Sequence, residues 1–168
     1  LPEHIQQPFY MDSTDILIHI RKITRSVHLE SKRIWKDYGV SIPQVLCLNY
    51  LKNAPGFQSS LRDLKTYLNL NSSTVTGIVQ RLEKKGLIAR LPNEGDKRKI
   101  LLVLTAPGYA LIDQIPALLH DRLNAKLIEL SPDELFEMER VLHRLVGMMH
   151  IEHVASSPFL ENEINGTI

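Results

Sequence analysis

The spacing of apolar residues predicts two helices in the first third of the chain. Across residues 12–38, apolar side chains recur at the interval of an amphipathic helix, and Gly39 ends that pattern. Ser41 and Gln44 have the spacing of a capping box, which predicts a second helix that reaches about Leu51.

A short helix, a tight turn and a further helix are predicted next. Ser60 is a good N-cap for the short helix, Asn69 and Asn71 suit the turn, and Gly86 ends a helix over about residues 72–85. The apolar positions of that helix fall on one face, at Val75, Ile78, Val79 and Leu82. The pattern is a helix-turn-helix, although alone it is equally typical of an ordinary helical hairpin with a polar rim.

Two short apolar runs, at residues 87–91 and 100–104, predict β-strands. They flank residues 92–99, a polar loop that contains proline, glycine and three consecutive basic side chains. The chain is therefore expected to form a β-hairpin with a basic tip.

Two helices are predicted after the hairpin. Thr105 caps one long helix whose apolar stripe continues to Leu127, and a capping box at Ser131 and Glu134 opens the last one. These two helices and the first carry apolar faces larger than a small lobe covers. Association of two chains would bury those faces, and we favour this over a bundle within one chain.

The predicted fold class is mainly α with a small β-hairpin wing. A winged helix-turn-helix lobe would span residues 41–105, and a helical dimerisation region would combine residues 12–38 and 106–153. Residues 1–11 and 154–168 are predicted to be flexible arms.

The net charge of +1 conceals an uneven distribution. Residues 60–99 hold nine Lys or Arg against four Asp or Glu, whereas the chain from residue 129 onward holds eight acidic and two basic side chains. A basic middle beside an acidic tail indicates that the middle meets a polyanion, with a merely solvated charged surface as the alternative.

A helix-turn-helix places its second helix in the major groove of DNA. Small hydrogen-bonding residues in the first turns let the backbone approach phosphates, and longer side chains further along reach base edges. The predicted contact residues are Ser72, Ser73, Thr74, Thr76, Gly77, Gln80, Arg81 and Lys84.

A basic hairpin directly after such a helix favours DNA binding over the helical-hairpin alternative. Lys97, Arg98 and Lys99 are expected to meet the sugar-phosphate edge or enter the minor groove. Asp96, two residues before Arg98, is suited to orient the guanidinium by paired hydrogen bonds.

These motifs resemble the MarR family of regulators. The resemblance lies in residues 61–90 together with the run 96–98 and the segment 103–108, and it covers roughly residues 12–150. It implies an obligate homodimer with interlaced terminal helices, minor-groove insertion of Arg98, and repression of nearby genes until a small ligand or oxidation releases the DNA. Residues 42–44 and 75–78 further resemble a subgroup found beside genes for osmolytes such as ectoine.

Four residues of the first long helix are candidates for an effector pocket between the lobe and the dimer helices. They are Arg21, Arg25, His28 and Trp35. The alternative is core packing of the tryptophan and solvation of the arginines.

Two further groups are interpreted as structural or surface residues. Cys47 is expected to be a buried thiol, because the oxidation-sensing members that the resemblance suggests carry their cysteine in the first helix. His150 and His153 stand three apart without a third ligand at suitable spacing, so neither a metal site nor a cofactor is predicted.

Other functional classes are disfavoured. The sequence shows no nucleophile elbow, phosphate loop, carboxylate pair or metal cage of the kind that enzymes use. It shows neither a membrane-length apolar run nor a secretory signal, and a lone cysteine suits the cytoplasm. The expected partners are double-stranded DNA, a second copy and a small-molecule effector. The alternative function is a protein-interaction module that keeps the fold without binding DNA.

Overall fold

The computed structural model describes residues 12–92 and 100–152. Within them the chain forms seven α-helices, a one-turn 3-10 helix at Pro55–Phe57 and a three-stranded sheet. The helices are α1 (Ser13–Tyr38), α2 (Ile42–Asn53), α3 (Leu61–Leu68), α4 (Ser72–Lys84), α5 (Ala106–Gln114), α6 (Leu119–Leu127) and α7 (Pro132–Met148). The strands are β1 (Gln58–Ser60), β2 (Ile88–Pro92) and β3 (Ile100–Leu104).

Local capping explains where α1 begins and ends and where α2 begins, as predicted. The Asp12 side chain accepts a hydrogen bond from the Thr14 amide at the start of α1, and Gly39 ends that helix with φ of 67°. The Ser41 amide donates to the Gln44 side chain at 3.0 Å, which closes the predicted capping box of α2.

The sheet is antiparallel in the order β1-β3-β2. The predicted hairpin is present, since β2 pairs with β3 from Ile88 opposite Leu104 to Pro92 opposite Ile100. The edge strand β1 was not predicted, because Gln58, Ser59 and Ser60 show no apolar alternation. Pairing with β3, rather than propensity, makes this segment a strand.

The core lies around α2, which is buried on most of its circumference and packs against α3, α4 and α5. One residue each from the end of α1, from α5 and from the segment that precedes α6 completes this core: Ile34, Ile112 and Leu118. Their burial ties the long helices to the winged helix-turn-helix part of the chain.

The prediction of a single long helix after Thr105 is wrong. The chain instead forms α5 and α6, with Ile115 in an extended conformation at φ −77° and ψ 125° between them. Pro116 follows directly, lacks an amide hydrogen and disfavours helical geometry in the residue before it. The continuous apolar stripe concealed this break, because Leu118 and Leu119 belong to a new helix start rather than to a further turn.

Thr105 connects the turn that follows α4 to the start of α5. Its hydroxyl donates to the Gly86 carbonyl at 2.7 Å and accepts from the Gly108 amide at 3.1 Å. At this contact a Cβ on Gly108 would lie 2.0 Å from the Leu87 carbonyl oxygen and 2.8 Å from a Leu104 methyl. The position therefore accommodates only glycine without movement of the backbone.

We expect Gly108→Ala to lower the free energy of unfolding by about 3 kcal/mol, because the added methyl overpacks against backbone. Urea unfolding followed by circular dichroism measures the loss. Gly77→Ala is the matched control, since a Cβ there meets only the end of the Arg81 side chain, at 3.7 Å. The control should be neutral or stabilising by up to about 1 kcal/mol. Equal effects of the two substitutions would contradict the close packing at Gly108.

Candidate nucleic-acid interface

The helix-turn-helix is built by local side-chain caps at both of its helices. Ser60 accepts from the Asp63 amide at 3.1 Å and so starts α3. Asn69 adopts the left-handed conformation at φ 51° in the turn, and Asn71 caps α4 by accepting from the Thr74 amide at 2.8 Å. The predicted turn chemistry is confirmed at each of these positions.

Helix α4 has one fully buried face and one polar face. The inner side chains are all solvent-inaccessible and are those that the sequence predicted: Val75, Ile78, Val79 and Leu82. Their burial orients the opposite face outward. On that side Ser72, Ser73, Gln80 and Lys84 are exposed, while Thr74, Thr76, Gly77 and Arg81 are partly exposed.

Two hydroxyl groups near the start of α4 already donate hydrogen bonds to the N-cap residue or within the helix. Ser73 Oγ donates to Asn71 Oδ1 at 2.7 Å, and Thr76 Oγ1 donates to the Ser72 carbonyl at 2.8 Å. In this arrangement both hydroxyls offer lone pairs outward rather than protons. The first turn thus suits partners with N–H donors, such as the exocyclic amino groups of bases, in addition to phosphates met by backbone amides.

Two basic residues on α3 extend the polar surface beside α4. Arg62 and Lys65 are exposed and share a groove of about 400 Å³ with Ser72. Both contribute to the basic charge of the middle of the sequence, but neither is among the predicted contact residues. Their three-residue spacing on a helix would have placed them on one face, but only the packing of α3 against α4 places that face next to Ser72.

Two other basic residues of the lobe form contacts within the protein. Arg90 forms an ion pair with Glu83 at 3.1 Å, which offsets its charge. The Lys85 ammonium donates to the Gly39 carbonyl and lies 5.2 Å from the centre of the Trp35 ring, and burial lowers its pKa. Part of the positive charge counted in the sequence therefore stabilises the lobe and its contact with α1.

The wing residues Asp96, Lys97, Arg98 and Lys99 lie outside the described residues. The strands that lead to them are described, and Pro92 and Ile100 stand opposite each other in the register. The ends of β2 and β3 are therefore side by side, on the same sheet as β1.

The candidate effector residues share one face of α1, but this chain alone does not enclose them. Arg21, Arg25 and His28 are exposed. Trp35 is 37% exposed, and its ring contacts Lys85. Their role stays a prediction.

Cys47 is completely buried, as predicted for a structural thiol. Burial in the core raises the pKa of this thiol to about 12.

His150 follows α7, and His153 lies outside the described residues. Within residues 12–92 and 100–152, no group of three His, Cys, Asp or Glu side chains is arranged to hold a metal ion.

Comparison with known proteins agrees with this geometry. Residues 40–100, which contain the helix-turn-helix and β2 and end at the first residue of β3, match the sequence model of the MarR family. The multiple antibiotic resistance protein MarR of Escherichia coli is 34% identical over 85 residues, which cover 50% of this chain and 59% of that protein. Over the segment that holds the helix-turn-helix, the chain is therefore similar to MarR-family proteins.

Two further relatives extend the similarity beyond the matched segment. The uncharacterized HTH-type transcriptional regulator YfiV of Bacillus subtilis is 28% identical over 123 residues, or 73% of this chain and 76% of that protein. The MarR-family regulator Sco3205 of Streptomyces coelicolor, solved in complex with DNA, shares the fold with a TM-score of 0.59 at 22% identity, and covers 93% of this chain and 99% of its own. YfiV and Sco3205 are both described as transcriptional regulators. None of the helices in the described part of the chain is long and apolar enough to cross a membrane.

We expect alkylation of Cys47 by iodoacetamide at neutral pH to be at least about 100-fold slower in the native protein than in urea, because the thiolate forms only when the core opens. Mass spectrometry of quenched samples measures both rates. Native alkylation at the rate of free cysteine would show that the thiol is accessible and reactive.

Proposed function

We propose that the protein is a sequence-specific transcriptional repressor that binds a pseudo-palindromic DNA operator as a homodimer. The observation that carries this proposal is the orientation of α4, whose polar face is held outward by four fully buried side chains. A helix fixed in this way presents the same set of groups to a major groove each time it binds.

The polar face of α4 divides into base-reading and phosphate-binding positions. Gln80 is exposed on the third turn, and its amide is suited to bidentate contact with adenine. Lys84, one turn further, and the α3 side chains Arg62 and Lys65 are suited to phosphates on either side. Gly77 carries no side chain on this face, which lets the helix backbone approach base edges closely.

The wing contributes a second contact in this proposal. Lys97 and Arg98 would grip the minor groove, with Asp96 orienting the arginine and Lys99 near the sugar-phosphate edge. The paired ends of β2 and β3, adjacent to the helix-turn-helix, support this assignment.

The uncovered apolar faces of the long helices support a homodimer. Neither α6 nor α7 has a buried residue, although both carry large apolar side chains. The exposed set includes Ile16, Leu17, Ile23 and Val27 on α1, Leu123 on α6, and Leu135, Met138, Val141 and Leu142 on α7. A second copy that presents the same faces would remove them from water.

Control by a small effector is the remaining part of the proposal. Arg21, Arg25, His28 and Trp35 share a face of α1, and Trp35 contacts Lys85 of the lobe, so a ligand bound along this face would contact both α1 and the lobe. The similarity to regulators beside osmolyte genes stays a prediction from the sequence.

We expect Gln80→Ala to change which operator bases are preferred, at a cost of about 1–3 kcal/mol for the cognate base. Lys84→Ala should instead weaken binding to all duplexes. It should also make the negative slope of log affinity against log salt shallower by about one. Fluorescence anisotropy with duplexes from the promoter of its own operon measures both. Absence of binding by the native protein at low salt would favour the interaction-module alternative.

We expect Leu142→Glu, at a side chain that is 55% exposed in the single chain, to convert a dimer into monomers at micromolar concentration. Arg140→Glu on the same helix is the control and should leave the mass unchanged. Sedimentation equilibrium measures both. A native protein that sediments as a stable monomer would overturn the homodimer.

A further inference from the structure

The segment between α5 and α6 is held from two sides. Leu118 is buried in the core of the lobe with 1% of its surface exposed. The amide of the next residue, Leu119, points at the Glu30 carboxylate of α1, with its nitrogen 2.8 and 2.9 Å from the two oxygens. A contact between residues 89 positions apart therefore fixes the first turn of α6 to the middle of α1.

Glu30 is mostly buried, unlike an ordinary surface carboxylate. Its side chain is only 11% exposed, whereas those of the two arginines beside it, Arg33 and Arg122, are 54% and 60% exposed. Those arginines lie 3.9 and 3.6 Å from the carboxylate, so their pairing is loose and solvent-screened. The bond to the helix start is the short one, and a carboxylate at that position also matches the helix dipole.

The position of this contact gives it a consequence for DNA binding. The lobe carries α4, and α6 leads to α7 and the apolar faces assigned above to the dimer. The orientation of α6 relative to α5, across the break at Pro116, therefore determines the position of α4 relative to the second copy. Half-sites lie about one helical turn of DNA, roughly 34–36 Å, apart, so a small rotation at this joint moves α4 out of register with its half-site.

We propose that Glu30 is a positioning residue for operator recognition: by holding the first turn of α6 against α1, it sets the separation of the two recognition helices and with it the half-site spacing that the protein accepts. This inference rests on the proposed function as a dimeric operator-binding protein. Glu30 itself lies on α1, outside the proposed DNA contacts.

The test compares three variants. Glu30→Ala removes both acceptors, and Glu30→Gln keeps one acceptor for the Leu119 amide without the charge. Glu129→Ala is the matched control, because among the described residues Glu129 pairs with Lys126 alone, three residues before it at 2.9 Å. Circular dichroism confirms the fold of each. Where Glu30→Ala does not fold, Glu30→Gln takes its place in every comparison below.

The first measurement is affinity for a set of operator duplexes whose half-sites are moved apart or together by one base pair. We expect Glu30→Ala to lose roughly tenfold at the best spacing and to discriminate less between spacings. Glu30→Gln should be intermediate, and Glu129→Ala should match the native protein. A merely structural role would lower all affinities in proportion and leave the spacing preference unchanged, which would overturn the proposal.

The second measurement does not require DNA. Spin labels at Lys65→Cys on α3 and Asn124→Cys on α6, in subunits diluted with unlabelled protein, report the distance between lobe and α6. Both positions are exposed, whereas Cys47 is buried. We expect a narrow distance distribution that broadens in Glu30→Ala, and an unchanged distribution would overturn the proposal. If the native protein binds no duplex, the proposed function fails, while this measurement still decides whether Glu30 positions α6.

Discussion

Burial of the inner face of α4 is the constraint on which the candidate interface depends. Val75, Ile78, Val79 and Leu82 have no exposed surface, and each costs about 1.5–3 kcal/mol to expose. Rotating α4 by one residue would therefore cost an amount comparable to the whole stability of a small domain, about 5–15 kcal/mol. The outward direction of Gln80 and Lys84 follows from this packing, since neither side chain needs a contact of its own to hold it there.

Charge in the lobe is divided between binding and structure by the same packing. Arg62, Lys65 and Lys84 remain exposed around the start and face of α4, where a polyanion would approach. Arg90 is paired with Glu83, and Lys85 bonds to the end of α1. A count of basic residues along the sequence therefore overstates the positive charge that the lobe leaves exposed.

The joint after α5 links the lobe to the helices that are assigned to the dimer. Pro116 interrupts the helix, Leu118 anchors the break in the core, and Glu30 receives the next amide. Without these anchors a proline break would leave α6 free to take several directions. With them, the start of α6 is held against both the core and α1.

The sequence by itself determined the elements whose signals are local. Capping residues, left-handed turn positions and apolar spacing placed α1 to α4 and the hairpin within about two residues, because these signals act over one or two helical turns. They also identified the polar face of α4. Tertiary structure alone decided that Gln58–Ser60 is a strand, that Lys85 turns toward α1, that Arg62 and Lys65 lie beside Ser72, and that Glu30 caps α6. Each of these depends on contacts between separate elements, so no periodicity or spacing within one element carries the information.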